Sequence, residues 1–175
     1  MTTEKPLFVI SQDYLLTIGA TILLGSHYVI LGLLTSFTRR KYFPQSWMEE
    51  NFGKEHQDAF GEPIGAGGYP DVGEGRYAKA LGLRQWEALN NALRGFQNYK
   101  ENITMYIGLS LLSGLFYPLF AAGCCVALLA GRVMYAIGYG CKGANWRVPG
   151  AAVSLIALLL LMGSAVYGSA KGLFA

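Results

Sequence analysis

Residues 14–37, YLLTIGATILLGSHYVILGLLTSF, form an apolar run whose only group that titrates near neutrality is His27. A helix needs about 20 mostly apolar residues to cross the ~30 Å hydrocarbon layer of a bilayer, so this run predicts a transmembrane helix. The whole chain has the same character: of its 175 residues, 53% are hydrophobic and 14% are charged, whereas soluble domains carry about 25% charged residues. The composition excludes a disordered chain and predicts a small all-α membrane protein.

Three further segments have the length and composition of membrane-spanning helices. Residues 84–117 combine a polar first half with an apolar second half, and a proline follows them. Residues 119–140 are apolar except for Arg132, and residues 150–170 are apolar almost throughout. The sequence therefore predicts one domain, a four-transmembrane-helix bundle, with an extended but ordered loop at residues 39–83.

The loop contains the glycine-rich stretch EPIGAGGYPDVGEGRY at residues 62–77. No predicted strand precedes this stretch and no Lys-Ser or Lys-Thr pair follows it, so it does not fit a phosphate-binding loop. We interpret its glycines as turn residues. Because residues 69–77 adjoin the second span, we hypothesise that they fold over the mouth of the bundle as a lid.

Basic residues outside the spans are concentrated in two connections, residues 39–84 and residues 141–149. The opposite side carries only Lys5 and Lys171. By the positive-inside rule, both connections are expected to face the cytoplasm or an equivalent compartment. Because these basic residues lie where topology requires them, the net charge of +3 does not indicate a nucleic-acid partner.

The second span carries charged residues where lipid would otherwise surround it. Arg94, Asn98 and Glu101 fall within about 60° of one another on a helical wheel, whereas Lys100 points away from them. A charge facing lipid costs about 2.5 to 3.5 kcal/mol on insertion scales. We therefore expect the stripe to face another helix.

The third span has a similar stripe, because Arg132, Tyr135 and Tyr139 share one helical face. Both stripes run inward from the basic side over about 10 Å, which predicts that Glu101 and Arg132 lie at the same depth. Two interpretations are open. The groups neutralise one another as contacts between helices, or they line a polar cavity, open to the basic side, for a small, multiply charged, peptide-like ligand. The number of polar groups favours the cavity.

The stretches LNNALRGFQNYKE (residues 89–101) and GRVMYAIGYGCKGANWR (residues 131–147) resemble the MAPEG family, the membrane-associated proteins of eicosanoid and glutathione metabolism, and within it the microsomal glutathione transferases. Family members carry an arginine followed by asparagine four positions later and glutamate seven positions later in the second span. Their third span carries R-x-x-Y-x-x-x-Y. The resemblance implies a subunit that assembles as a homotrimer and binds glutathione between neighbouring subunits.

The resemblance also implies roles for individual residues. Arg39 would reach into the site from a neighbouring subunit, and Arg147 is the nearest candidate for the arginine that activates the thiol. Both are candidate catalytic residues, because either could supply the cation beside the sulfur. An arginine about 4 Å from the sulfur, at an effective permittivity near 20, contributes up to ~4 kcal/mol, which is enough to form a thiolate. Glutathione would contact Arg94, Asn98, Glu101, Arg132, Tyr135 and Tyr139.

Two function classes follow from this reading. The first is an integral membrane glutathione transferase or peroxidase of an internal membrane, the endoplasmic reticulum or the mitochondrion, that acts on hydrophobic electrophiles or lipid hydroperoxides. The second is a non-catalytic structural subunit of a larger membrane complex, with the long loop as a docking surface. A binder of glutathione or lipid without turnover is a third alternative. No metal is expected, because His27 has no second ligand at helical spacing and His56 lies in a charged loop.

Overall fold

The computed structural model describes residues 10–173, and its regular structure within that range is entirely helical. A short 3₁₀ helix, Ala144–Arg147, precedes the last helix. Lys5, one of the two basic residues expected on the opposite side, lies outside the described residues. The helices are α1 (Gln12–Tyr42), α2 (Gln45–Phe60), α3 (Arg76–Lys79), α4 (Leu83–Phe116), α5 (Pro118–Lys142) and α6 (Val148–Leu173).

Helices α1, α4, α5 and α6 form a bundle in which α5 packs against the other three. Pro118 is the first residue of α5, a position where proline's missing N–H is not needed, and it separates α5 from α4. The end of the bundle where α1 ends, α4 begins and α5 ends is called the basic end below. The buried core of the bundle consists of Leu24, Tyr99, Tyr106, Ala121, Cys124, Leu128, Ala157 and Leu161.

The helices present many large apolar side chains outward, among them Leu23, Leu33, Val126 and Leu160. Over residues 10–173, three helical segments are long and apolar enough to cross a membrane: α1, α5 and Ala144–Leu173. The fourth predicted span, α4, does not meet this criterion because its first half is polar, although it packs against α1, α5 and α6. The all-α bundle that the sequence predicts is therefore confirmed, and the protein is an integral membrane protein.

Close contact between α5 and α6 depends on glycine. Gly150 of α6 lies against the backbone of α5, where an added β-carbon would clash with the nitrogen of Tyr135 and the oxygen of Gly131. Backbone atoms cannot move away as a flexible side chain can. Glycine at this position therefore brings α6 close to the helix that carries Arg132.

We expect Gly150→Ala to lower the free energy of unfolding by about 1 to 3 kcal/mol, the usual cost of overpacking. Thermal unfolding of the detergent-solubilised protein measures this change. The matched control is Gly163→Ala in the same helix, because a β-carbon at Gly163 would meet nothing within 4 Å. The control should be neutral or slightly stabilising, since alanine is the better helix former. Equal effects of the two substitutions would contradict the packing argument.

The segment between α1 and α4 (residues 43–82, the connecting segment) is more helical than the extended loop expected at residues 39–83. Its helix α2 forms because Met48 and Phe52, one turn apart, turn an apolar face inward while the charged residues stay exposed. The sequence did not predict this helix, because its few apolar residues stand among many charged and polar ones and give only a weak helical periodicity. The connecting segment packs on the beginning of α4 in a second cluster of buried residues: Phe43, Met48, Ile64, Ala78, Leu89 and Leu93.

Several glycines of the connecting segment make turns, as the sequence predicts. Gly67, Gly68 and Gly73 have positive φ angles of 88°, 60° and 88°, a region that residues with a β-carbon adopt at a cost. Gly75 has an ordinary φ of −75°, but an added β-carbon there would overlap the carboxyl group of Asp71. These turns return the chain from α2 to the side of α4.

Candidate functional site between α4 and α5

Arg132 is the centre of the polar contact between α4 and α5. Its side chain is buried, with 2% of the residue exposed. The guanidinium carbon lies 4.4 Å from the ring centroid of Tyr99 and 4.5 Å from that of Tyr135. Nη1 donates to Asn98 Oδ1 at 2.9 Å, and Nη2 donates to the carbonyl oxygen of Gly95 at 3.4 Å. Three of the predicted residues, Asn98, Arg132 and Tyr135, are thus brought together.

No carboxylate neutralises Arg132 within residues 10–173, where the ion pairs are Arg39–Asp71, Arg76–Glu55 and Arg94–Glu74. The buried Nε of Arg132 has no hydrogen-bond partner in that range. Buried charges are normally paired, because an uncompensated one is costly. Aromatic faces and two neutral oxygens compensate this cation only in part. The centre of the site is therefore positive and has an unused donor.

Tyr139 and Arg147 form a second polar contact, at the basic end. Arg147 Nη1 donates to the hydroxyl oxygen of Tyr139 at 3.1 Å, and the guanidinium carbon lies 5.2 Å from the centroid of the same ring. The ring of Tyr139 lies 5.6 Å from that of Tyr135, between centroids. Through the two tyrosines, Arg147 is connected to the Arg132 contact.

The 3₁₀ helix places Arg147 over Tyr139. It folds back on α5 at Gly138, where an added β-carbon would clash with the carbonyl oxygen of Trp146. Gly143, which precedes the 3₁₀ helix, has a φ of 92° and so permits the reversal. The position of Arg147 thus follows from two glycines and a short helix.

Arg94 lies at the surface and pairs with Glu74 of the connecting segment. Arg94 Nη2 is 2.8 Å from Glu74 Oε1, and the two side chains are 54% and 57% exposed. Glu101, predicted at the depth of Arg132, is also exposed, and its Oε1 accepts from Gln97 Nε2 at 3.3 Å. Of the charged residues in the predicted stripes, only Arg132 is therefore inside the bundle.

Arg39, expected to reach into a neighbouring subunit, binds its own chain in this structure. Its Nη1 donates to the carbonyl oxygen of Asp71 at 2.7 Å and lies 3.6 Å from Asp71 Oδ1. Its Nη2 donates to the carbonyl oxygen of Tyr69. The side chain is only 11% exposed, so it holds the connecting segment rather than projecting outward.

A cleft of about 120 Å³ lies between α1, α4 and α5 beside these contacts. Of the residues predicted to touch glutathione, Tyr139 lines it. The volume is below the roughly 300 Å³ at which pockets for small molecules begin. A single chain therefore does not enclose a tripeptide at this cleft.

Sequence reasoning did not single out Tyr99 or Glu74, and both contact predicted residues. Tyr99 is buried, and its hydroxyl donates to the carbonyl oxygen of Leu24 in α1 at 2.9 Å. Tyr99 follows Asn98 directly in the sequence, which could have indicated a role in the site. On a helical wheel, however, it lies outside the polar stripe of Arg94, Asn98 and Glu101. Glu74 is 20 positions from Arg94, and only the turns of the connecting segment join them.

A comparison with family models matches the MAPEG family over residues 17–167. A comparison with curated proteins returned no match. The matched range covers all of α4 and α5, most of α1 and α6, and both polar contacts described above. The family resemblance seen in the sequence is thereby confirmed, and this integral membrane protein belongs to the MAPEG family.

Proposed function

We propose that the protein is a membrane glutathione transferase or peroxidase. Membership of the MAPEG family supports a membrane role in glutathione or eicosanoid metabolism. The observation that carries the more specific proposal is the buried cation of Arg132, which has no acid partner within residues 10–173. As a contact between helices alone, this arginine adds little stability, because the cost of its buried charge is similar in size to what its hydrogen bonds and ring contacts supply, whereas an anionic ligand would pair with that charge.

The chemistry of glutathione fits the groups at hand. The tripeptide carries two carboxylates, one amine and one thiol. In the proposal, Arg132 and Arg94 bind the carboxylates, and the exposed Glu101 binds the amine. Asn98, Tyr135 and Tyr139 supply hydrogen bonds to the peptide groups. Arginine suits these roles because its planar fork matches a carboxylate and remains charged at all physiological pH values.

Arg147 is the proposed activator of the thiol. It lies on the exposed 3₁₀ helix beside Tyr139, whereas Arg39 is engaged by Asp71. The thiolate would attack the electrophilic carbon of a hydrophobic acceptor and displace its leaving group as an anion. With a hydroperoxide it would attack the terminal oxygen and break the O–O bond, giving a sulfenic acid and an alkoxide that takes a proton from water to become the alcohol. A second glutathione converts the sulfenic acid to disulfide and water.

We further propose that the site is completed by other copies of the chain in a homotrimer. In one subunit, the middle of α4 exposes Lys100 and Glu101, which would be costly against lipid. The cleft beside Tyr139 is also too small for a tripeptide. A neighbouring subunit would cover the charged face and enlarge the site, while the apolar outer surfaces contact membrane lipid.

Thermal stability with and without glutathione tests binding directly. At ten times the dissociation constant, a ligand selective for the folded protein raises the free energy of unfolding by about 1.4 kcal/mol, which corresponds to a midpoint about 3 to 6 °C higher for a chain of this size. The same tripeptide with alanine in place of cysteine is the control: it should stabilise the protein and support no conjugation. The absence of any shift at millimolar glutathione would contradict the proposal.

Turnover is measured with a chlorinated nitrobenzene or a lipid hydroperoxide as the acceptor. Activity with the first indicates a transferase, and activity with the second a peroxidase. Subcellular fractionation distinguishes the two proposed locations, the endoplasmic reticulum and the mitochondrion.

The second candidate function is a non-catalytic subunit of a larger membrane complex. The connecting segment favours it, because this segment has its own apolar cluster around Phe43 and Met48 and exposes the acidic residues of α2 to a partner. A protein that neither binds nor conjugates glutathione, and that migrates only with a large complex under native conditions, would support this alternative.

A further inference from the structure

Part of the connecting segment lies directly on the polar face of α4. Gly73 is buried there, with an added β-carbon only 2.9 Å from Leu93 Cδ1. Asn90 Nδ2 donates to the carbonyl oxygen of Gly73 at 2.9 Å. The next residue, Glu74, pairs with Arg94. Residues 69–75, which form most of the stretch hypothesised as a lid (residues 69–77), thus cover one side of α4 at the basic end.

The two ends of this covering stretch are held with different strength. At its beginning, Arg39 binds the backbone at Tyr69 and Asp71 in a partly buried setting. Asp71 Oδ1 also accepts from the nitrogen of Gly73 at 2.7 Å. At its end, the Glu74–Arg94 pair is more than half exposed. Exposed ion pairs are weak and easily exchanged, so the stretch is anchored at one end and latched at the other.

The Glu74–Arg94 pair involves Arg94, a residue that the proposed function assigns to binding a carboxylate of the ligand. The carboxylate of Glu74 is bound to Arg94 in the place where a glutathione carboxylate would bind. Glu74 holds Arg94 through the single contact between Oε1 and Nη2, and it competes with a ligand carboxylate for a bidentate contact that uses the same Nη2. A bidentate contact between the ligand and Nη2 of Arg94 therefore requires that Glu74 leave.

We propose that residues 69–75 are an autoinhibitory lid and that Glu74 is an internal competitor for the carboxylate of the ligand. The inference rests on the proposed function for the identity of the ligand. The lid selects thiols that bring a carboxylate of their own to Arg94, since only these replace the contact that opening breaks. The apparent affinity for the ligand is proportional to the fraction of molecules in which the lid is open, because only the open state binds.

The first experiment measures lid opening without any ligand. Leu93 lies under Gly73, so Leu93→Cys in a Cys141→Ser background places a thiol beneath the lid, while Cys124 and Cys125 are buried. Adding Glu74→Gln should raise the rate of labelling at position 93 by a soluble thiol reagent about two- to five-fold, the range set by an exposed ion pair. The matched control is Glu62→Gln, which removes the same charge from an exposed position of the connecting segment.

The second experiment measures glutathione affinity in the otherwise unaltered protein. Glu74→Gln should lower the dissociation constant about two- to five-fold, while Glu62→Gln leaves it unchanged. Unchanged labelling together with unchanged or weaker affinity in Glu74→Gln would overturn the lid. Equal effects of the two substitutions would assign the change to net charge and also overturn it.

The two proposals fail in different ways. If neither the unaltered protein nor Glu74→Gln binds glutathione, the proposed function and the competition are overturned together, but the labelling rate still decides whether Glu74 is a latch. If glutathione binds and Glu74→Gln changes neither measurement, the proposed function stands and the lid is overturned.

Discussion

Replacing Arg147 with alanine should lower the conjugation rate at pH 7 about 30-fold, because a thiol with a pKa near 8.5 is only about 3% ionised at that pH without its arginine. Binding of the tripeptide with alanine in place of cysteine should change little, since the binding roles for its other groups are assigned to other residues. The pH profile separates this cause from misfolding. The rate of the variant should climb about ten-fold per pH unit up to roughly pH 8.5, whereas the unaltered enzyme should show a flat profile over the same range.

The control for this experiment is Arg84→Ala, which removes an exposed arginine near the beginning of α4. It should leave both the rate and its pH dependence unchanged. The ultraviolet absorbance of bound thiolate gives an independent measurement, which should be lost in Arg147→Ala alone. A variant at position 147 with the pH profile of the unaltered enzyme would remove this residue from thiol activation.

Replacing Arg132 with methionine should abolish the stabilisation by glutathione while leaving the unliganded protein folded. The substitution loses two cation–π contacts and the hydrogen bonds to Asn98 and Gly95. It also removes a buried charge that has no acid partner in the described part of the chain, whose cost is several kcal/mol. The two contributions are similar in size, so we expect the free energy of unfolding to change by less than about 2 kcal/mol.

Thermal unfolding with and without glutathione measures both quantities in one series. Arg132→Lys is the matched variant, because it keeps the charge but not the planar fork, and it should retain part of the glutathione response. If Arg132→Met responds to glutathione as strongly as the unaltered protein, Arg132 is a contact between helices and nothing more. That result would leave the scaffold interpretation.

The bundle could be predicted from the sequence because its signals are local. Long apolar runs and a proline at position 118 mark helices whatever the rest of the chain does. That the two polar faces meet followed from helical periodicity within each span and a common starting side, but these predicted Glu101 at the depth of Arg132, whereas Asn98 is the residue that Arg132 contacts. Periodicity tells which face a residue occupies, and two polar faces in a membrane have few alternatives to meeting each other.

The remaining features depend on contacts between distant residues. Helix α2 escaped prediction because Met48 and Phe52 are a short apolar pattern among many charges, and only their burial against α4 makes the helix stable. The partners of Arg39 and Arg94 escaped it because they lie 32 and 20 positions away. Helical periodicity cannot predict which residues of a glycine-rich turn contact a helix, because each residue with a positive φ changes the direction of the chain.

Helix α4 has 34 residues and is therefore about 51 Å long, well beyond the ~30 Å of hydrocarbon. Its first turns support the apolar cluster at Leu89 and Leu93, and the same uninterrupted rod continues inward to Asn98. The water-exposed part and the lipid-embedded part of this molecule are therefore built on the same continuous helix. Neither part can be exchanged independently of the other. A chimera with the outer part of another protein would have to keep the number of residues in the helix. Inserting or deleting one residue would rotate every side chain beyond that point by about 100° around the helix axis.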